Sequence, residues 1–183
     1  SASEPLKIGA ILPLTGPRAV TGQQVLQGIQ LAFNQMSNFL GAAVKLEVKD
    51  SGAAGSFWDA AEELVANPNV LSIIGPVLSR QVKEISPLAS DYQVPFLTPT
   101  ASDSGLTDLS PFIFRNALTR EIQARYLAQY AVNDLNLKRF VVLYPDESFG
   151  VTTNKLFSDV LSTGPSDKQT IRIAFIMLCG KLK

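Results

Sequence analysis

The chain of 183 residues contains no histidine and a single cysteine, Cys179. Without histidine there is no Ser-His-Asp or Cys-His nucleophile system and no histidine-ligated zinc or haem. One cysteine cannot form an intrachain disulfide or a thiolate cluster. These absences exclude most of the catalytic and metal-binding residue combinations that are common in enzymes. We therefore expect a protein without catalytic activity that needs neither a metal ion nor an organic cofactor.

Charged residues are also scarce, at 17% of the chain, and 16 basic side chains are balanced by 16 acidic ones. This balance, together with a hydrophobic content of 46%, excludes a highly charged disordered segment and a generally basic nucleic-acid-binding surface. No charge lies between Arg18 and Lys45, but the many glutamines and asparagines in that stretch make it too polar for a membrane span. We interpret it as an amphipathic helix.

Short apolar runs alternate with helical patterns along the whole chain. Helical spacing of apolar residues predicts helices over 57–65 and 149–161, one from about 79 to 90 that Pro87 disturbs, and one that Thr119 caps. The predicted strands are 6–12, 44–48, 70–74, 94–98, 112–114, 139–144 and 171–178. Strands separated by helices imply right-handed βαβ crossovers. The sequence therefore predicts an α/β fold, a Rossmann-like parallel sheet with helices on both faces.

In an open parallel sheet, ligands bind beyond the carboxyl ends of the strands. The loops expected there contain mostly hydroxyls, glycines and prolines, and they are 13–21, 50–56, 75–79, 98–104 and 145–150. The first loop matches neither G-x-G-x-x-G nor a phosphate-binding loop, which argues against a nucleotide. Ser79 can cap the next helix or contact a ligand. Three arginines can each bind a carboxylate through two hydrogen bonds or simply lie at the surface; they are Arg80, Arg115 and Arg120.

Several motifs occur in a characteristic order: Lys7–Pro17, Gly22 with Gly28–Ala32, Ile73–Pro76, Val94–Pro99 and Tyr144–Gly150. Together they resemble the type I periplasmic binding proteins, in particular the leucine/isoleucine/valine-binding, amino-acid receptor branch. The resemblance covers about residues 6–161. It implies two Rossmann-like lobes on a hinge that closes around a small ligand. It also implies a periplasmic solute receptor whose partner is the membrane permease of an ABC transporter.

The resemblance further implies that hydroxyls and backbone N–H groups of the first lobe hold an amino acid or a related carboxylate. Carried over to this sequence, Ser79 falls on the serine after the third strand, and Ala101 and Ser102 fall on an alanine-threonine pair after the fourth. Phe149 falls where an aromatic residue of the second lobe covers the ligand. The predicted ligand-binding residues are Thr15, Thr21, Ser79, Thr100, Ala101, Ser102 and Phe149.

The same resemblance divides the chain into residues 1–118, most of the first ligand-binding lobe, and 119–183, the opening strand-helix-strand of the second. Family members are much longer than this chain, and the resemblance fades after Gly164. We therefore expect a truncated form with open sheet edges, weak ligand binding and self-association as a two-fold dimer through the region after Thr119.

A second function fits the same fold. The periplasmic-binding-like module of lipoprotein activators of penicillin-binding proteins shares this style of sequence, and there the fold serves protein contacts. In both alternatives the protein is periplasmic, although no signal peptide is present at the start of this sequence. Stabilisation by a small metabolite would distinguish a receptor from an interaction module.

Overall fold

A computed structural model describes residues 4–36, 38–39, 42–52, 57–163 and 171–177. The chain divides into two compact units, Ser1–Ala117 and Leu118–Lys183. Leu178, the predicted end of the last strand, and Cys179 lie outside the described residues.

The first unit contains one six-stranded sheet. Its strands and helices are β1 (Leu6–Leu12), α1 (Ala19–Gln35), β2 (Asn38–Phe39), β3 (Ala42–Asp50), α2 (Phe57–Val65), β4 (Val70–Ile74), α3 (Ser79–Tyr92), β5 (Phe96–Thr98) and β6 (Ile113–Arg115). The strand order is β2-β3-β1-β4-β5-β6, and every neighbouring pair is parallel except β2 with β3. The predicted parallel α/β fold is confirmed.

Both faces of this sheet are covered by helices. Since successive side chains of a strand point to opposite faces, alternate residues of β1 enter two different cores. Ile11 packs into a cluster with Leu64 of α2 and Ile85 of α3. Its neighbour Leu12 packs into a second cluster with Ile29 of α1. The central position of β1 explains why Ile8–Leu12 is an uninterrupted apolar run rather than an alternating one.

Helix α3 continues through Pro87 to Tyr92, so the disturbance predicted at this proline does not end the helix. Proline has no N–H, and the carbonyl of Lys83 therefore lacks its usual donor four residues later. The hydroxyl of Ser86 donates to that carbonyl at 3.0 Å. A side chain thus supplies the hydrogen bond that the backbone cannot.

The second unit contains α4 (Arg120–Gln129), a π-helical turn (Tyr130–Asp134), β7 (Arg139–Pro145), α5 (Ser148–Ser162) and β8 (Ile171–Met177), which is parallel to β7. Thr119 caps α4 as predicted, and its hydroxyl accepts from the N–H of Ile122 at 3.1 Å. Phe140 of β7 packs edge-on against Phe157 of α5, with ring centroids 5.8 Å apart. The π-helical turn has no counterpart in the sequence prediction.

Candidate functional site

The parallel strands β1, β3, β4 and β5 end at one edge of the first unit's sheet, and the loops that follow them meet there. Gly75 is a requirement of this arrangement. A Cβ at Gly75 would lie 2.2 Å from the carbonyl oxygen of Ile11, and its φ of +111° is one that side chains rarely adopt. The loop after β4 can therefore pack directly on the end of β1.

The loops after β4 and β5 are joined by side-chain hydrogen bonds. The buried hydroxyl of Thr98 donates to the carbonyl of Pro76 at 2.7 Å and accepts from the N–H of Ala101 at 3.2 Å. The hydroxyl of Thr100 donates to the carbonyl of Val77 at 2.7 Å. Three predicted site residues, Thr100, Ala101 and Ser102, thus lie on a loop that is anchored to the loop beside it.

Ser79 belongs to the same group of contacts. It is the first residue of α3, and the N-cap is Leu78, which makes no side-chain capping bond. The Ser79 hydroxyl instead accepts from the N–H of Asp103 at 3.2 Å. Its own proton has no acceptor among the described residues, whereas the protons of Thr98 and Thr100 are both donated to carbonyls. Of these hydroxyls, Ser79 is the one that can donate to a ligand.

The loop after β1 carries Thr15, whose hydroxyl donates to Asp50 at 2.7 Å. Burial acts to raise the pKa of Asp50. Hydrogen bonds from the Thr15 hydroxyl and from the N–H groups of Gly52, Leu14 and Thr15 outweigh burial, so the pKa lies below its ordinary value. Thr21, the other predicted residue of this segment, is exposed in the first turn of α1. Because the Thr15 hydroxyl already donates to Asp50, it is not available to donate to a ligand.

The three arginines considered as carboxylate ligands all have partners within the chain. Arg80 is paired with Glu84 at 2.9 Å on the surface of α3. The guanidinium of Arg115 donates to the carbonyl of Asp103 at 2.6 Å. The structure thus favours the surface or structural alternative for Arg80 and Arg115.

Phe149, the remaining predicted site residue, lies in the first turn of α5 in the second unit and is about half exposed. The guanidinium of Arg120 lies over its ring, 5.1 Å from the centroid, and desolvation lowers the pKa of Arg120. Phe149 also lines a groove of about 410 Å³ formed by α4, β7 and α5. That Phe149 contacts the same ligand as the residues of the first unit stays a prediction.

Sequence reasoning missed two polar residues, one at the end of β3 and one in the first turn of α3. The sequence predicts Asp50 only as part of the loop 50–56, although its aspartate-serine-glycine sequence is typical of a turn that binds backbone N–H groups. Gln81 is 6% exposed, and its Oε1 has no partner among the described residues. The signal for Gln81 is its spacing, because it falls on the buried stripe of α3 with Ile85 and Leu88.

Clusters of metal-ligating residues and membrane-spanning helices are both absent from the described part of the chain. No group of three or more cysteine, aspartate or glutamate residues there is arranged to hold a metal ion. No helix there is both long and apolar enough to cross a membrane.

Comparison with known proteins gives consistent matches over nearly the whole chain. A family model described as periplasmic binding protein matches residues 5–175. The Leu/Ile/Val-binding protein BraC3 of Rhizobium johnstonii is 29% identical over 163 residues, which cover 87% of this chain and 44% of that protein. The crystal structure of the leucine binding protein LivK from Thermotoga maritima is 27% identical with a TM-score of 0.77, covering 96% of this chain and 50% of that one.

A further crystal structure shares the fold. It is a solute binding protein of an ABC transporter from Rhodopseudomonas palustris in complex with 3,4-dihydroxybenzoic acid, 24% identical with a TM-score of 0.80. The match covers 94% of this chain and 47% of that one. This chain therefore spans about half the length of the relatives that it matches.

Proposed function

Because this chain belongs to the periplasmic binding protein family, we propose that it is part of a solute receptor for an ABC transporter. The resemblance read from the sequence motifs is thereby confirmed as a family relationship. The proposed ligand is a small molecule with a carboxylate, such as an amino acid or a related acid. It is bound rather than chemically changed, and the receptor acts in the periplasm with a membrane permease as its partner.

The observation that carries this proposal is the available donor at the edge of the first sheet. Among the described residues, the Ser79 hydroxyl has no acceptor to donate to, and it lies at the N-terminus of α3, a helix whose first turn carries no acidic residue. Backbone N–H groups and the positive end of the helix dipole favour an anion at this position. We assign Ser79 the role of donating a hydrogen bond to the ligand carboxylate, with the loop of Thr100, Ala101 and Ser102 beside it.

The names of the relatives support the same ligand class. One is a Leu/Ile/Val-binding protein, another a leucine binding protein, and the third was crystallised with 3,4-dihydroxybenzoic acid. Leucine and dihydroxybenzoic acid share a carboxylate and differ in the apolar or aromatic group attached to it. The carboxylate is thus the part of the ligand that the first lobe is proposed to recognise.

The remaining assignments follow the family's two-lobed plan and are part of this proposal. Residues 1–118 correspond to most of the first ligand-binding lobe, and 119–183 to the start of the second. Thr21 borders the ligand from the first lobe, and Phe149 covers it from the second. Thr15 is now proposed to act through its bond to Asp50.

Binding is tested by thermal denaturation of the purified protein with amino acids, short-chain carboxylates, aromatic acids and sugars. A specific carboxylate at one hundred times its Kd should stabilise the folded state by about 2.7 kcal/mol. No stabilisation by any carboxylate would contradict the proposal and would favour the protein-interaction module instead. Stabilisation by a sugar alone would contradict the ligand class.

The role of Ser79 is tested by Ser79→Ala, with Ser90→Ala as a matched control. Each variant loses one hydroxyl hydrogen bond on the same helix, since Ser90 donates to Ser110 at 2.7 Å. A hydrogen bond to a charged group contributes about 1.5–3 kcal/mol, so Ser79→Ala should weaken carboxylate binding about tenfold or more. Equal affinities in the two variants would overturn the role of Ser79.

We also propose that the second unit self-associates. Val141 and Leu143 on β7 are 65% and 68% exposed, and two strands form its whole described sheet. Exposed apolar strands favour pairing with another chain. Size exclusion with light scattering tests this. A dimer is expected, and Val141→Lys should shift it toward monomer; a monomer of about 20 kDa at high concentration would contradict it.

A further inference from the structure

The carboxylate of Asp50 accepts four hydrogen bonds. At the end of β3, its Oδ1 accepts from the N–H groups of Leu14 at 2.8 Å, Thr15 at 3.3 Å and Gly52 at 2.8 Å. Its Oδ2 accepts from the Thr15 hydroxyl at 2.7 Å. Three of these four bonds come from the loop after β1. One carboxylate therefore ties two loops that are distant in sequence.

The backbone is shaped to bring these loops together. A Cβ at Gly52 would lie 2.2 Å from the carbonyl oxygen of Thr15, so only glycine permits the approach. Gly16 follows with a φ of +78°, which lets the chain turn away after Thr15. The N–H of Ser51 adds a bond to the carbonyl of Leu12 at 2.8 Å.

The loop needs this external attachment because α1 has no N-terminal cap of its own. Its N-cap is Arg18, which makes no side-chain capping bond, and its first turn contains no acidic residue. A helix start without a cap is expected to fray unless other contacts hold it. The bonds to Asp50 lie just before this start and restrain the chain that leads into it.

We propose that Asp50 is a positioning residue, which fixes the loop of residues 13–18 and the start of α1 at the ligand-binding edge of the first lobe. It acts through Thr15 and the backbone of that loop, without contact to the ligand. Thr15, predicted from the family resemblance as a ligand residue, is then the connection between Asp50 and the loop. This inference rests on the proposed function only for its effect on ligand binding.

The effect on the loop is measured without any ligand, by limited trypsin digestion. Arg18 is exposed in the loop, so cleavage after it reports local opening. Cleavage after Lys45, within β3, reports opening of the sheet. Asp50→Ala should speed cleavage after Arg18 at least tenfold relative to cleavage after Lys45. Asp91→Ala, which removes the same charge from the exposed end of α3, should leave both rates unchanged.

Two conservative variants keep the test decisive if Asp50→Ala does not fold. Asp50→Asn retains one carbonyl oxygen for the three N–H donors, and should restore most of the protection at Arg18. Thr15→Val removes the hydroxyl bond at constant shape and should fall between Asp50→Asn and Asp50→Ala. An unchanged cleavage ratio in Asp50→Ala, or in Thr15→Val where Asp50→Ala does not fold, would overturn the proposal.

The consequence for binding is measured with L-leucine and 3,4-dihydroxybenzoate as probes. For a probe that binds the wild-type chain, Asp50→Ala should lower the affinity at least tenfold and Asp50→Asn should recover most of it. An affinity that does not change while Arg18 becomes accessible would overturn the link to the ligand site. If neither probe binds the wild type, the proposed ligands fail, and the digestion result still decides the role of Asp50 in the loop.

Discussion

The hydrogen bond from the Ser86 hydroxyl to the Lys83 carbonyl is expected to stabilise α3. Ser86→Ala should leave the Lys83 carbonyl without a donor, because the residue four positions later is Pro87. An unsatisfied buried polar group costs about 1–3 kcal/mol. Ser86 is only 9% exposed, so water compensates poorly for the lost bond. We expect the free energy of unfolding to fall by about 1–2 kcal/mol.

The cause can be isolated by a double-mutant cycle. Pro87→Ala returns a backbone N–H to α3, and in that background Ser86→Ala should cost less than about 0.5 kcal/mol. The free energy of unfolding of all four proteins is measured by urea denaturation. The signal is the fluorescence of Trp58, the only tryptophan and a residue of the same unit. Equal costs of Ser86→Ala in the two backgrounds would refute the reasoning, since the missing N–H would then play no part.

Three further predictions concern other positions. Thr119→Ala should cost about 0.5–2 kcal/mol by circular dichroism melting, because α4 loses its cap, and Thr119→Ser should retain most of that stability. Gly75→Ala should destabilise the protein by more than about 2 kcal/mol in urea, because its Cβ would overlap the Ile11 carbonyl, whereas Gly28→Ala, with open space around it, should not destabilise. The lowered pKa of Asp50 means that its contribution to stability is present above the unfolded value of about 3.9 and is lost as the pH falls through the lower folded value. Acid titration of unfolding should therefore show a decline below about pH 4 that is smaller in Asp50→Asn; equal declines would contradict this prediction.

Much of the fold could be predicted from periodicity. The mainly apolar run 6–12 forms β1 with the predicted bounds, and the i, i+3, i+4 pattern of 57–65 forms α2. These patterns are reliable because a strand that is buried on both faces needs consecutive apolar residues. A helix that is buried along one stripe needs apolar residues at helical spacing. The two-residue strand β2 was missed, because a pair of residues carries no period.

The candidate site was less predictable than the fold. Loop positions could be inferred from the topology, but the direction of each hydroxyl proton could not. Thr15, Ser79 and Thr100 look alike in sequence, yet Thr15 and Thr100 donate to protein acceptors, whereas Ser79 has no acceptor in the described part of the chain. Such assignments depend on backbone carbonyls and carboxylates that only the folded chain brings within reach. The role of Asp50 was hidden for the same reason.

The central position of β1 also has a consequence for synthesis of the protein. Strand β1 precedes both of its partners in the chain, since it pairs with β3 on one side and β4 on the other, with Leu6 beside Val44 and Lys7 beside Val70. One side of β1 therefore stays unpaired after β3 has emerged, until β4 follows. Sheets closed by such distant pairings fold slowly and expose aggregation-prone segments in the meantime. We expect the nascent β1 to depend on chaperones until β4 has left the exit tunnel.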